Sequence, residues 1–456
     1  MLKNKVSILL FVLISMSLKS HGQESLRNDY SYFLNLFHSS SAKVKKESLQ
    51  FIEQNWKESF EIYAVETLYF MKDSKSFADL FLVLQEKTNK SYGFNFNAWF
   101  EYIWSKEPNY SDEYFSFKAA IHAAKDRRFT TYFLGRERQS DIRLDEVRWG
   151  GVIQDGIPPL RNPKMIPVEK AAYLDDDHIV FGISINGDTR AYPKRILAWH
   201  EMFTDVVGNI PVAGVYCTLC GTVILYKSEK DGVNYQLGTS GFLYRSNKLM
   251  YDEKTQSLWN TLWGKPVIGP LVGKGIELEY LSVVTTTWGE WKARHPETTV
   301  LSLQTGHRRD YGEGIAYQDY FATDKLMFSV PEKDRRLKNK QEILAIRLPS
   351  ETDENIAISS KFLRKNPIYP GQINEKAFTV FTDKSGAHRV YLTENIHFVG
   401  YDGGKTTTDS TGASWVLFED HLKASSDQTR LELLPTHNAF WFGYRAAFPD
   451  VRLIKK

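Results

Sequence analysis

The chain has 456 residues and a net charge of +3, too small a basic excess to mark a nucleic-acid binder. Apolar residues make up 42%, enough for substantial cores, and aromatic residues 14%, including 24 Tyr and 11 Trp, which favours β-rich structure. Two cysteines are too few for a disulfide scaffold, and the length suits about two or three domains.

In chain order, Lys3 and Lys5 form a positive start and Val6 to Leu18 an apolar run too short to span a bilayer comfortably. Ser20 and Gly22 are small residues suited to cleavage. Residues 1–22 are therefore expected to be a secretory signal peptide, which places the mature protein in the periplasm or outside the cell. An uncleaved membrane anchor is the alternative. No later segment is long and apolar enough to cross a membrane.

Residues 25–140 read as successive short amphipathic helices. "SAKVKKESLQFIEQNW" brings Val44, Leu49, Phe51, Ile52 and Trp56 near helical spacing, and "FEIYAVETLYFMKD", "FADLFLVLQEKT" and "NAWFEYIWSKEP" follow. The pattern predicts a small HEAT-like helical domain, or an irregular helical cap, that packs or binds a partner and carries no cluster of chemical residues. Gly150, Gly151, Gly156, Pro158, Pro159 and Pro163 then end the helical pattern.

Strands dominate from there. "HIVFGISINGDTRAYP" predicts a hairpin turning at Asn186-Gly187. "ILAWHEMFTDVVG" reads as helical or partly so. "PVAGVY" and "TVILYKS" are strands on either side of "CTLCG", and "EKDGVNYQLG" turns back at Asp231-Gly232.

The β-rich region reads as two related halves, 141–330 and 331–456. Without gaps, "LEYLSVVTTTWGEWKARHPETTVL" from Leu278 matches "LELLPTHNAFWFGYRAAFPDVRLI" from Leu431, with Leu281, Trp288, Ala293 and Pro296 facing Leu434, Trp441, Ala446 and Pro449. "VFGISI" from Val180 is echoed by "ILAIRL" from Ile343, and "SLW" at Ser257–Trp259 by "SW" at Ser414–Trp415. Thr287 to Glu290 is a capping box. The expected fold class is thus α+β: a small all-helical N-terminal domain, then a β-rich domain of two related halves.

Both thiols fall in the first half, at Cys217 and Cys220. A β-branched run follows them, a poor helix opening, so the context is strand, C-x-x-C-G, strand. Haem attachment is excluded because Gly221 stands where His would be needed. Three readings stay open. The first is a metal knuckle completed by His200 and Met250, with copper favoured by a thioether ligand, or zinc if Asp252 replaces it. The second is a redox dithiol. The third is a structural crosslink. His200 as a buried histidine bonded to a backbone carbonyl, and Met250 as core filler, are the plainer alternatives.

"DGIPPLRNP", "GDTRAYP", "WHEMFTDVVGNIPVAGVYCTLCGT", "SGFLYRSNKLMYDEKTQSLW" and "TTTWGEWKARHP" resemble, in order, the prokaryotic domain-of-unknown-function family 3179, from about Arg143 to the C-terminus. The helical region resembles a HEAT-like extension of that family. The resemblance places Cys217, Cys220, His200 and Met250 in the family's signature but carries no established activity. The expectation is therefore an exported protein holding a thiolate metal centre for electron transfer, metal delivery or catalysis. Its alternatives are a thiol-disulfide oxidoreductase or redox sensor, and a non-catalytic protein binding a small molecule or protein partner in aromatic grooves near Tyr244, Tyr251, Trp259 and Trp263. The metal reading requires His200 within about 5 Å of a sulfur and Met250 on the same side of the sheet.

Overall fold

The computed structural model describes residues 28–137, 139–348 and 354–456; the expected signal peptide lies outside them. Six helices open the described chain, Tyr30–His38, Ala42–Gln54, Phe60–Phe70, Ser74–Thr88, Phe96–Trp104 and Glu113–Ala123. Their starts follow capping chemistry: the Ser41, Asp73 and Asn95 side chains accept backbone N–H bonds at three of them. The rest of the chain is mostly β-sheet, giving an α+β protein. The helices share one core with the sheet that follows. Phe242 meets Phe129 edge-on at 4.8 Å and Phe133 at 5.2 Å, and Leu249, Tyr251, Leu258 and Ile268 join the same cluster. Among the described residues, no helix is long and apolar enough to cross a membrane.

The duplication holds to the level of strand register. In the first half, Val284–Thr287 pairs antiparallel with Ile179–Ile185, which pairs with Asp188–Pro193, which runs parallel to Thr299–Leu301. In the second, Thr436–Phe440, Glu342–Arg347, Asn355–Ser359 and Arg452–Ile454 repeat that order. Val284 faces Gly182 and Thr287 faces Ile179, just as His437 faces Ala345 and Phe440 faces Glu342. The matched aromatic segments are the same short helix, Trp288–Arg294 and Trp441–Ala447, with Trp288 and Trp441 buried at its start. The gapless alignment thus pairs positions that occupy the same place in each sheet.

Each half continues with an antiparallel meander: Met202–Val207, Ile210–Cys217 and Thr222–Lys227 in the first, Ile368–Ile373, Lys376–Thr382 and His388–Leu392 in the second. The Asn-Gly turn forms as expected, with both residues at positive φ. The segment "ILAWHEMFTDVVG" divides in two: the helix Lys194–His200 ends at Glu201 and Met202–Val207 is a strand. The β-branched and aromatic run after Glu201 pairs with Ile210–Cys217, and that ladder overrides helical spacing.

Candidate functional site

The thiols sit at a hairpin tip. Tyr216 pairs with Val223 and Cys217 with Thr222, and Cys217 and Cys220 form a disulfide across the turn. Both are buried, packed with Leu219, Tyr320, Phe328, Val330 and Phe442. The tip is held by the second half: the Phe440 N–H donates to the Cys220 carbonyl at 2.8 Å. Gly221 has φ +58°, and a Cβ there would lie 2.6 Å from the Phe440 ring, so only glycine fits. Gly443 is equally constrained, since its Cβ would come 2.7 Å from that of Cys220. The connection between the halves crosses over the tip, where the Tyr320 hydroxyl donates to the Leu219 carbonyl at 2.6 Å.

A buried ionic cluster adjoins the hairpin. Glu201 ends its helix in the left-handed region at φ +55°, a costly conformation for a residue with a Cβ. Its carboxylate compensates by accepting from Thr218 Oγ1 at 2.7 Å, Tyr317 Oη at 3.2 Å and Lys248 Nζ at 2.9 Å. Burial lowers the Lys248 pKa, and Glu201 opposes that shift. Thr218, between the two cysteines, therefore ties the disulfide turn to an ion pair.

The expected metal ligands are engaged elsewhere. His200 is fully buried, with Nδ1 2.8 Å from the Pro158 carbonyl and Nε2 2.5 Å from the Tyr311 hydroxyl. A carbonyl only accepts, so Nδ1 carries the proton and Nε2 accepts from Tyr311. Burial holds the ring neutral, with its pKa lowered to about 4. Met250 is fully buried with Met202, Val215, Ile224 and Trp259. Asp252 closes its own turn, accepting from Thr255 N, Thr255 Oγ1, Ser257 N and Trp259 Nε1. Among the described residues, no three His, Cys, Asp or Glu side chains are arranged to hold a metal. The structure thus does not bring Cys217, Cys220 and His200 together. With the sulfurs bonded to each other and both His200 nitrogens taken, this donor set does not fit copper or zinc.

Of the four aromatic residues expected near a groove, Trp263 lines a hollow of about 480 Å³ with Lys265, Pro266 and Glu277, and the other three do not. Tyr244, Tyr251 and Trp259 are buried, and their handles are used inside the fold: Tyr251 Oη donates to Asp155 at 2.5 Å and Trp259 Nε1 to Asp252.

One cleft lies between the halves, smaller than hollows elsewhere on the molecule. Its volume is about 100 Å³, and it is lined from the first half by Lys194, Tyr216, Gly221 and Thr285, and from the second by Glu342, Arg364, Gly386 and Asn438. The register and turns make three of these matched pairs: Thr285 with Asn438, Gly221 with Gly386, and Ile179, also in the lining, with Glu342. Arg364 pairs with Glu342 at 3.3 Å, whereas Lys194 has its ammonium 5.0 Å from the Phe321 ring and no acidic partner among the described residues. The Thr285 hydroxyl is buried without a partner among the described residues. The cysteine turn is thus one wall of a net-cationic cleft with mixed polar and apolar walls. Sequence reading did not reach Lys194 or Arg364, which no local pattern marks. Glu201 stood in the quoted signature, and its position after a short helix was the only cue to its conformation.

The model of a family described as a protein of unknown function, DUF3179, matches residues 154–451. The chain belongs to the DUF3179 family. The DUF3179 match begins after the helical region and spans both halves, so the duplicated pair is the unit that the family defines. Searches of curated proteins and of solved structures find no match.

Proposed function

We propose that this DUF3179 protein is an exported binding protein whose site is the cleft between its two halves, with the Cys217–Cys220 disulfide as a structural staple. The observation that carries the reading is the pairing of equivalent positions across one cleft that also holds Lys194 with no ion pair among the described residues. Ligand sites favour such interfaces, built from a few convergent polar groups. The small volume and the Lys194 and Arg364 cations suit a small carboxylate or phosphate compound, with Tyr216, Asn438 and Thr285 as hydrogen-bonding groups. Burial supports the staple: exchange needs a thiolate to reach a sulfur, and these are 2% and 0% exposed. The test is a thermal-shift and calorimetric survey of small carboxylates and phosphates on the full chain. At least one should bind saturably, and Lys194→Ala should weaken it about tenfold or more. No binder, or binding indifferent to both Lys194→Ala and Arg364→Ala, would overturn the reading.

A thiol redox centre is the second reading. The Glu201–Lys248 pair favours it, because a buried carboxylate bonded to the residue between two cysteines is placed to exchange protons with a reduced pair.

A further inference from the structure

The second half carries an unusual polar cluster away from the cleft. Arg347 is only 5% exposed, and its guanidinium lies over two rings, Tyr280 at 5.5 Å and Phe448 at 5.4 Å. Tyr280 hydrogen-bonds His437 Nδ1, the His437 ring is 5.8 Å from Tyr444, and Tyr444 is 4.8 Å from Phe448. These five side chains therefore close a ring of neighbours around one buried spot. Tyr280 comes from the first half and the others from the second.

Three polar atoms in that ring, Arg347 Nε, His437 Nε2 and Tyr444 Oη, are buried and lack a hydrogen-bond partner among the described residues, while the Arg347 guanidinium also faces the Tyr226 hydroxyl. With the Tyr280 hydroxyl as donor, His437 Nδ1 accepts and Nε2 carries the proton, the tautomer that makes Nε2 a donor. Burial and Arg347 keep that imidazole neutral, its pKa lowered to about 3. Two side-chain donors and a guanidinium thus meet with no carboxylate paired to them among the described residues. An uncompensated buried charge is costly, and buried donors ordinarily find an acceptor. The first half provides an internal control. The register and the helix alignment place Val284 opposite His437's position and Trp291 opposite Tyr444's, and Trp291 Nε1 is satisfied by Thr298 Oγ1 at 2.9 Å. The polar ring is an addition of the second half, not a need of the fold.

We infer that Arg347, His437 and Tyr444 form a buried site for a small monovalent anion of the halide class, placed where the second half meets Tyr280 of the first. A spherical anion accepts from several donors at once and supplies the missing charge. The test uses the full chain in sodium chloride against sodium gluconate at equal ionic strength. Melting temperature should rise with the logarithm of chloride concentration, by about 2 °C for each tenfold step above the dissociation constant. The response should vanish in an Arg347→Met, Tyr444→Phe double variant. Should that variant not fold, a bromide-soaked crystal of the unaltered protein should give an anomalous peak within hydrogen-bond distance of these donors. Equal melting temperatures in the two salts, or a water in place of bromide, would overturn the inference.

Discussion

The two halves use the same strand order and register but close the same turn by different chemistry. Pairing of Tyr216 with Val223 and of Thr382 with His388 makes Cys217 the counterpart of Asp383. Where the first half has a disulfide, the Asp383 carboxylate accepts from Ser385 N, Ser385 Oγ and Ala387 N. Another turn, one residue shorter in the second half, is closed by the same aspartate–tryptophan bond in both. Asp252 accepts from Trp259 Nε1 at 3.2 Å, and Asp409 from Trp415 Nε1 at 2.8 Å. The comparison separates what the fold requires, closed turns, from what one half alone supplies. His200 and Glu201 align with Asn366 and Pro367, so the buried histidine and the strained, ion-paired glutamate belong to the first half alone.

The largest expected effect comes from breaking the clasp that joins the halves. Arg389 is bidentate to Glu419, and Arg294 and His295 reach Glu419 from the first half. Glu419→Ala should cost about 3–5 kcal/mol in urea unfolding, because it strands buried cations. Those cations hold the Glu419 pKa well below the usual carboxylate range, against burial. Its contribution is therefore present above about pH 4.3, the unfolded value, and lost as pH falls below it. Little change in Glu419→Ala would mean that the halves do not depend on this contact.

Buried neutral histidines should produce the next effect, and should distinguish the halves. The His200 pKa is lowered to about 4, and that of His388 in the second half to about 3. The unfolded chain binds protons from about pH 6.5 downward while the folded chain does not, so stability falls with pH over that window. Removing His200 should take out a component of about 3 kcal/mol that is complete near pH 4. His388→Gln should take out one that continues lower. Stability measured against pH in the two variants checks this.

Cys217→Ser with Cys220→Ser should cost about 2 kcal/mol, the loop-closure value for so short a loop. Smaller still, about 1 kcal/mol each, should be the matched pair Asp252→Asn and Asp409→Asn. Agreement of that pair within about 0.5 kcal/mol would support equivalent roles. Denaturation midpoints of the four proteins would settle the order.

Much of the fold was legible because it rests on local signals. The Asn186-Gly187 turn, the Thr287 cap and the Trp288 and Trp441 anchors each act within a few residues, and the tryptophan anchor recurs at the matched position although Phe440 replaces the capping Thr287 there. The site was not legible for the opposite reason. C-x-x-C spacing serves a metal, a dithiol and a staple equally. What separates them is distant: Tyr311 and Pro158 occupy the His200 nitrogens, and Phe440 holds Cys220 from more than 200 residues away. The cleft exists only once equivalent edges of the two halves meet, so Lys194 and Arg364 carry no mark in the chain itself.

The most direct test of the staple is a redox titration of the native, full chain, with free thiols trapped by alkylation at each poise. As a buried crosslink doing in one half what Asp383 does in the other, Cys217–Cys220 should stay oxidised until the potential falls below about −300 mV. A midpoint near −200 mV, with rapid alkylation of the reduced pair, would contradict the account and make the hairpin a working redox centre.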